Sequence, residues 1–452
     1  MCRCTIGIFL LTGIFPRIDF AAAGWYNRKK DKAVISVELK QKLTDRFLRY
    51  AAIYSQSDPE AGTVPSSQGQ WELARLLASE LEALGLRDIF VSDRCVVTGH
   101  LPARLPKGKE SVPVVGWVAH LDTVDVRLSP RIQPRLIRDY PGGDICQNRE
   151  KGLWLREKDH PELRQYLGQD ILVSDGTSVL GADNKAAIAN IMVSLEVLAE
   201  HPEMEHGEIY VCFVPDEEIG LLGAKSLDLS RFPVDFAYTI DCCEEGEVVY
   251  ETFHAASARL EIRGIPAHPM SAKNRLVNPA MVAVDFINLL DRAQTPEHTE
   301  KTEGFIWVTG IVSDARKARV TMAIRDHDLE KFRGKKAYLQ TAVELVRAKH
   351  PGAEVTLCIE DTYGNIADAI RQDNRACIDY LYNAMEELGI IPKTIAMRGG
   401  TDGSYLSSRG ILTPNYFTGA HNFHSSAEFL PLNAFENSCR LTLKLISLIA
   451  GK

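Results

Sequence analysis

A chain of 452 residues is too long for one ordinary hydrophobic core, so two domains are expected. Its 45% hydrophobic and 25% charged residues are the proportions of a globular protein. A net charge of -8 without basic clustering excludes a nucleic-acid footprint, and no heptad, low-complexity tract or solenoid period is present.

The N-terminus opens on "MCRCTIGIFLLTGIF", one Arg followed by an apolar run from Thr5 to Phe15. A membrane-spanning helix needs about 20 apolar residues, so this run is too short to cross a bilayer. "AAAG" at 21–24 resembles a small-residue cleavage site, but Arg17 and Asp19 interrupt the approach to it. Residues 1–36 are therefore read as a disordered extension, with a weak export signal over residues 1–24 as the alternative. The ten cysteines are scattered without a CxxC pair, which favours reduced thiols and a cytoplasmic location.

From about Val37 the pattern becomes regular. "SSQGQWELARLLASELEALGL" predicts an amphipathic helix with Ser66 or Ser67 as its cap, Trp71, Leu77, Leu81 and Leu84 at helical spacing, and Gly85 as its stop. Four apolar strands are predicted next, at "VPVVGWVAHLD", "SVLGAD" leading into a helix, "EIYVCFVPDEE" and "DFAYTID". Continuous apolar strands mixed with helices predict an α/β domain with a mostly parallel sheet covered on both faces. In such sheets ligands bind where strand ends meet loops.

Residues 252–363 change rhythm and spell strand, helix, strand, strand, helix, strand. That order predicts a ferredoxin-like α+β domain inserted into the first. The α/β domain would then comprise 37–251 and 364–452.

Each predicted strand of the first domain stops at acidic or imidazole groups, which are costly to bury without partners. Collected, they are His120, Asp122, Asp183, Glu217, Glu218 and Asp241, with His424 far downstream in "HNFHSSAEF". Imidazoles and carboxylates without thiolates suit zinc, with manganese or cobalt as substitutes. Five such groups would satisfy a pair of cations sharing one bridging carboxylate, leaving two carboxylates over. Asp122 lies on the same side of its strand as His120 and would accept the imidazole's second N–H. One member of the pair Glu217–Glu218 would bind metal while the other serves as general base. Singly, "HLD" is an ordinary strand end and "DEE" a solvated charge run; their recurrence at four strand ends carries the argument. No HExxH, GxSxG or GxxxxGK[ST] competes with it.

The strings "AHLDT", "GADNKAAIA", "PDEEIG", "YTID", "AHP", "IRD", "RGGTDG" and "HNFHSSAEF", in this order and with "SSQGQW" ahead of them, resemble the peptidase T group of the dinuclear-zinc aminoacylase and carboxypeptidase superfamily. The resemblance covers nearly the whole chain from Val37. It implies two zinc ions per subunit, with Asp183 bridging, His120 and Asp241 completing one site, and Glu218 and His424 the other. It further implies Glu217 as general base, Asp122 as support for His120, and a cis peptide at Asp183–Asn184. The inserted domain would act as a lid and as the contact of a homodimer. His268 would stabilise the oxyanion, while Arg325 and Arg398 would bind the C-terminal carboxylate of a short peptide, the substrate expected here. A planar guanidinium forks onto a carboxylate, so such a clamp at a fixed distance from the metals measures peptide length.

The expected activity is therefore removal of the N-terminal residue from short peptides, tripeptides above all. The alternatives are a dipeptidase, carboxypeptidase or N-acyl amino acid deacylase of the same superfamily, or a binding protein that keeps only the fold. Departures from the group's pattern lie near the substrate. "HSSAEF" stands where "HGKHEF" is common, "HPM" replaces "HPG", and His254 stands where Asn is frequent. Cys242 and Cys243, directly after Asp241, are read as packed behind the metals.

Overall fold

A computed structural model describes residues 29–451, with side chains from Glu38 onward; the N-terminal apolar run and its candidate cleavage site lie outside them. The main sheet has eight strands, in the order Arg87–Val91, Val97–Leu101, Ile209–Val214, Val115–His120, Phe236–Cys242, Asn415–Phe417, Glu247–Thr252, Lys393–Met397. It is mixed rather than mostly parallel. Ile209–Val214, Val115–His120, Phe236–Cys242 and Asn415–Phe417 run parallel at the centre. Arg87–Val91 and Val97–Leu101 join antiparallel at one edge, and Asn415–Phe417 pairs antiparallel with Glu247–Thr252. The edge departs from expectation because a tight turn through Cys95, with φ 62°, folds the first two strands into a hairpin that needs no crossover helix.

Side-chain alternation explains the layers. Along Val115–His120, Val115, Trp117 and Ala119 enter the larger core, against helices including Ala182–Glu200 and Leu432–Ile449. Val118 faces the other way, onto Phe232 and Leu406 beneath the short helix Asp402–Ser408. The helix Gln68–Ala83 buries Leu73, Leu77 and Leu81 against that first core. Burying one such Leu removes apolar area worth about 1.5–3 kcal/mol. Ser67 occupies its N-cap position without a side-chain cap bond, its Oγ accepting instead from Gln70 Nε2 at 3.2 Å.

"SVLGAD" forms no strand. The strand precedes it, Ile171–Val173, in a separate sheet of three with Arg135–Ile137 and Phe429–Pro431. Gly181 breaks extended geometry with φ 75°, where a Cβ would also lie 2.8 Å from Ile132 Cδ1. This small sheet shares a core with Tyr140, Leu163 and Tyr166, a region in which strands of three residues leave little periodic signal.

The chain leaves the main sheet after Thr252 and rejoins it at Lys393. Between them a four-stranded antiparallel sheet runs in the order Phe305–Ser313, Lys317–Asp326, His254–Arg263, Glu354–Tyr363. Helices Pro279–Ile287 and Leu329–Lys349 pack on it around Leu260, Phe286, Val320 and Ile324. At the crossing, Asn365 accepts from Thr252 N–H at 2.9 Å and donates to His327 O at 3.1 Å, tying both segments together.

Candidate metal centre

Asp183 is the hub of the site. One carboxylate oxygen lies 2.9 Å from His120 Nε2 and the other 2.9 Å from His424 Nε2. His424 Nε2 is also 3.0 Å from Glu218 Oε1, though outside hydrogen-bonding geometry, and His120 Nε2 is 4.0 Å from Asp241 Oδ1. His120, Asp183 and Glu218 offer ligand atoms within 4.8 Å of one another. The peptide Asp183–Asn184 is cis.

Each element aims its residue for a local reason. His120 ends a fully buried strand, and its Nδ1 meets the main-chain O of Asp122 at 3.1 Å, with Asp122 Oδ1 3.3 Å away. Asp122, itself fully buried, also accepts the backbone N–H of Glu217 at 3.0 Å and of Glu218 at 3.2 Å. It therefore holds the acidic pair as well as the imidazole. Asp216 shapes the turn before that pair, in a left-handed conformation at φ 55°. Its carboxylate accepts from Ser66 N–H and Gln70 Nε2, both at 2.7 Å, and from the Ser66 hydroxyl. The "SSQGQ" segment is thus the mount of the Glu217–Glu218 turn. Gly69 is required there, since a Cβ would fall 1.4 Å from Tyr54 O.

The electrostatics are those of a cage built for cations. Burial would lower the His120 pKa, but Asp122 and Asp183 outweigh it and raise it well above the ordinary value. Burial likewise opposes protonation of His424, yet Asp183 and Glu218 push it up to about 12. Burial would raise Asp183, but the two imidazoles hold it well below the carboxylate range. The remaining acids lack enough positive charge. Burial and the Asp183 charge raise Glu218 to about 7. Burial, with Asp241, Glu218 and Asp402 nearby, raises Glu217, and burial plus Asp183 raises Asp241. Nitrogen and oxygen donors around an excess of buried carboxylate fit two hard or borderline cations better than two protonated imidazoles.

Three further groups escaped the sequence reading. Asp402, 2% exposed, begins a short helix with Oδ1 unpartnered, and burial together with Asp122 and Glu218 raises it to about 7. Glu428 is buried against the loop before Asp183. Lys185, fully buried, donates to Ile53 O at 2.8 Å, and burial lowers it to about 7. All three sit inside recognisable strings, but only their depth sets them apart.

The substrate-side candidates make their hydrogen bonds outside the cage. His268 is exposed, and its Nδ1 accepts from Met270 N–H at 3.2 Å in its own turn. Arg325 donates from Nη1 to Ala256 O and Ile324 O, with its guanidinium carbon 5.8 Å from the Tyr363 ring centre. Arg398 is more committed. Its Nη1 donates to Lys301 O and Glu303 O, its Nη2 to Thr299 Oγ1, and it stacks on Phe253 and Phe305. Cys242 is buried beside Asp241, and neither it nor Cys243 takes part in the cluster. Both are free thiols, like the other cysteines among the described residues.

Comparison with known proteins finds relatives over most of the chain. The model of peptidase family M20/M25/M40 matches residues 181–448. A Peptidase T-like protein of Yersinia pestis is 52% identical over 418 residues, spanning 92% of this chain and all of its own. Peptidase T of Geobacillus kaustophilus is 41% identical over 414 residues, again 92% of this chain and all of its own. Among solved structures, a tripeptidase of Staphylococcus aureus shares the fold at a TM-score of 0.70 and 22% identity, covering 91% of this chain and 99% of that one. With more than half of the chain inside the family model and full-length relatives above 40% identity, this chain belongs to peptidase family M20/M25/M40.

Proposed function

We propose that the chain is a metal-dependent aminopeptidase that removes the N-terminal residue from tripeptides. The observation that carries this reading is the double engagement of Asp183, with His120 on one oxygen and His424 on the other, as a bridging carboxylate requires. His120, Asp183 and Asp241 would hold one cation, and Asp183, Glu218 and His424 the second, zinc being favoured over manganese or cobalt by the two imidazoles. Such cations supply Lewis-acid activation of water and of the scissile carbonyl.

The chain's own residues do the rest. Glu217, fixed through its backbone by Asp122, takes the proton of the attacking water and returns it to the leaving amine. His268 is brought to the site by movement of residues 252–363, the lid, and donates to the oxyanion. Arg325 and Arg398 receive the substrate carboxylate, Arg398 exchanging its contacts to Thr299, Lys301 and Glu303. Residues 37–251 and 364–452 form the catalytic domain, 252–363 the lid and the contact of a homodimer, and the cytoplasm is the compartment. Among the described residues no helix is long and apolar enough to cross a membrane.

The test is release of the N-terminal residue from a free tripeptide, compared with the matching dipeptide, tetrapeptide and N-acetylated tripeptide, before and after chelation and zinc addition. Chelator-sensitive activity confined to the free tripeptide is expected. Cleavage of the blocked peptide instead would overturn the aminopeptidase assignment in favour of a deacylase. Arg325→Ala is expected to raise KM for the tripeptide about tenfold or more, since a charge-assisted hydrogen bond contributes about 1.5–3 kcal/mol. An unchanged KM would place the carboxylate elsewhere.

Zinc binding is expected to release protons. The buried carboxylates raise the proton affinity of both His120 and His424, and each must be free of its proton to become a ligand. Zinc affinity should therefore fall as pH falls from about 8 to 6, with about two or more protons released per chain at pH 7. Calorimetry in buffers of different ionisation enthalpy measures this, and a release near zero would contradict the assigned ligands.

A further inference from the structure

We infer that Glu428 is a positioning residue for the Asp183 carboxylate, holding from behind the segment that His424 of the same loop meets from in front. The inference rests on the metal-peptidase reading above. Glu428 is 1% exposed. Its Oε2 accepts the backbone N–H of Leu180 at 2.7 Å and of Gly181 at 2.9 Å, and its Oε1 that of Asp183 at 3.2 Å. Three amides converge on one carboxylate because Gly181 turns the backbone through the left-handed region.

Three backbone donors on two oxygens call for a side chain that accepts at both. A carboxylate is purely an acceptor on both oxygens, whereas the amide of a Gln would aim an NH2 at one of the backbone donors. The Asp side chain is one methylene too short to reach all three.

The loop that carries Glu428 is itself braced. Ser425 Oγ donates to Asn422 O at 2.8 Å, Ala427 N–H donates to Ser425 Oγ at 3.1 Å, and His424 is held at φ 59°. Directly after Glu428, Phe429–Pro431 pairs with Ile171–Val173, the strand that leads towards Asp183. The separation of His424 from Glu428 is thereby fixed. One short loop sets Asp183 at both ends, through its backbone N–H and through Oδ2. Partners behind metal ligands typically alter metal affinity by about 10–100-fold.

The experiment uses the full chain stripped of metal. Zinc dissociation constants are measured by competition with a chromogenic chelator, and kcat and KM on a tripeptide, for the parent, Glu428→Gln and Glu428→Asp. Gln147→Ala serves as comparison, since Gln147 Nε2 holds the same loop at Ser426 O, 2.8 Å away. Both Glu428 variants are expected to weaken zinc binding about tenfold or more and to lower kcat with KM nearly unchanged, while Gln147→Ala stays within about threefold of the parent. Glu428 variants that bind zinc like the parent would overturn the inference, as would an equal loss in Gln147→Ala, which would assign the effect to loop stability. A parent chain that binds no zinc would instead remove the metal reading itself, so the two failures are distinguishable.

Discussion

Glu217→Gln is expected to leave two metal equivalents in place while lowering kcat by about 10²–10⁴-fold, the usual contribution of a positioned general base. The substitution keeps size and hydrogen-bonding capacity but removes the basic oxygen. Metal content should survive because the proposed ligands are Glu218 and its partners, and because Asp122 grips residue 217 through the backbone N–H, which a Gln also has. The raised pKa of Glu217, from burial and from Asp241 and Glu218, makes it a stronger base than an exposed carboxylate. Metal analysis alongside steady-state kinetics checks the claim. Turnover within a few-fold of the parent would remove Glu217 from the chemistry, and loss of metal would recast it as a ligand.

Asp183→Ala should be more severe. Both imidazoles contact this carboxylate, so its loss opens both halves of the cage at once. Both metals are expected to bind more than about 100-fold more weakly, beyond the range of outer-sphere substitutions, with peptide hydrolysis falling to background. His424→Ala, which touches only one half, should by contrast lower the stoichiometry towards one. Full metal loading of Asp183→Ala would show that the cations do not share it.

Much of this site was legible because its groups sit where apolar strands stop. His120 and Asp241 belong to parallel central strands whose buried runs are hard to mistake, and the acid or imidazole at each end breaks the pattern. The structure brings His120 and Glu218 together with Asp183, sets His424 on its second oxygen and leaves Asp241 4.0 Å from His120 Nε2. Less legible was whatever depends on distant pairing. The three-residue strands and the misread "SVLGAD" owe their form to partners far along the chain, and Glu428 reaches Asp183 across 245 residues. Asp216, expected only as part of a charge run, became the anchor of the acidic turn because Ser66 and Gln70 happen to face it. Nor does local sequence reveal that Arg398 spends its donors on three residues of one loop.

The chain departs from the main sheet after Thr252 and supplies His424 only after its return, whereas His120, Asp183, Glu218 and Asp241 all precede the departure. During synthesis at about 5–20 residues per second, His424 therefore trails Asp241 by about 10–40 s. Throughout that interval a nascent chain carries most of the acids of the cage but neither the second imidazole nor Glu428. A peptidase arranged in this order cannot complete its centre until residues 252–363 have been made, so the inserted segment also separates the early ligands from the last in time.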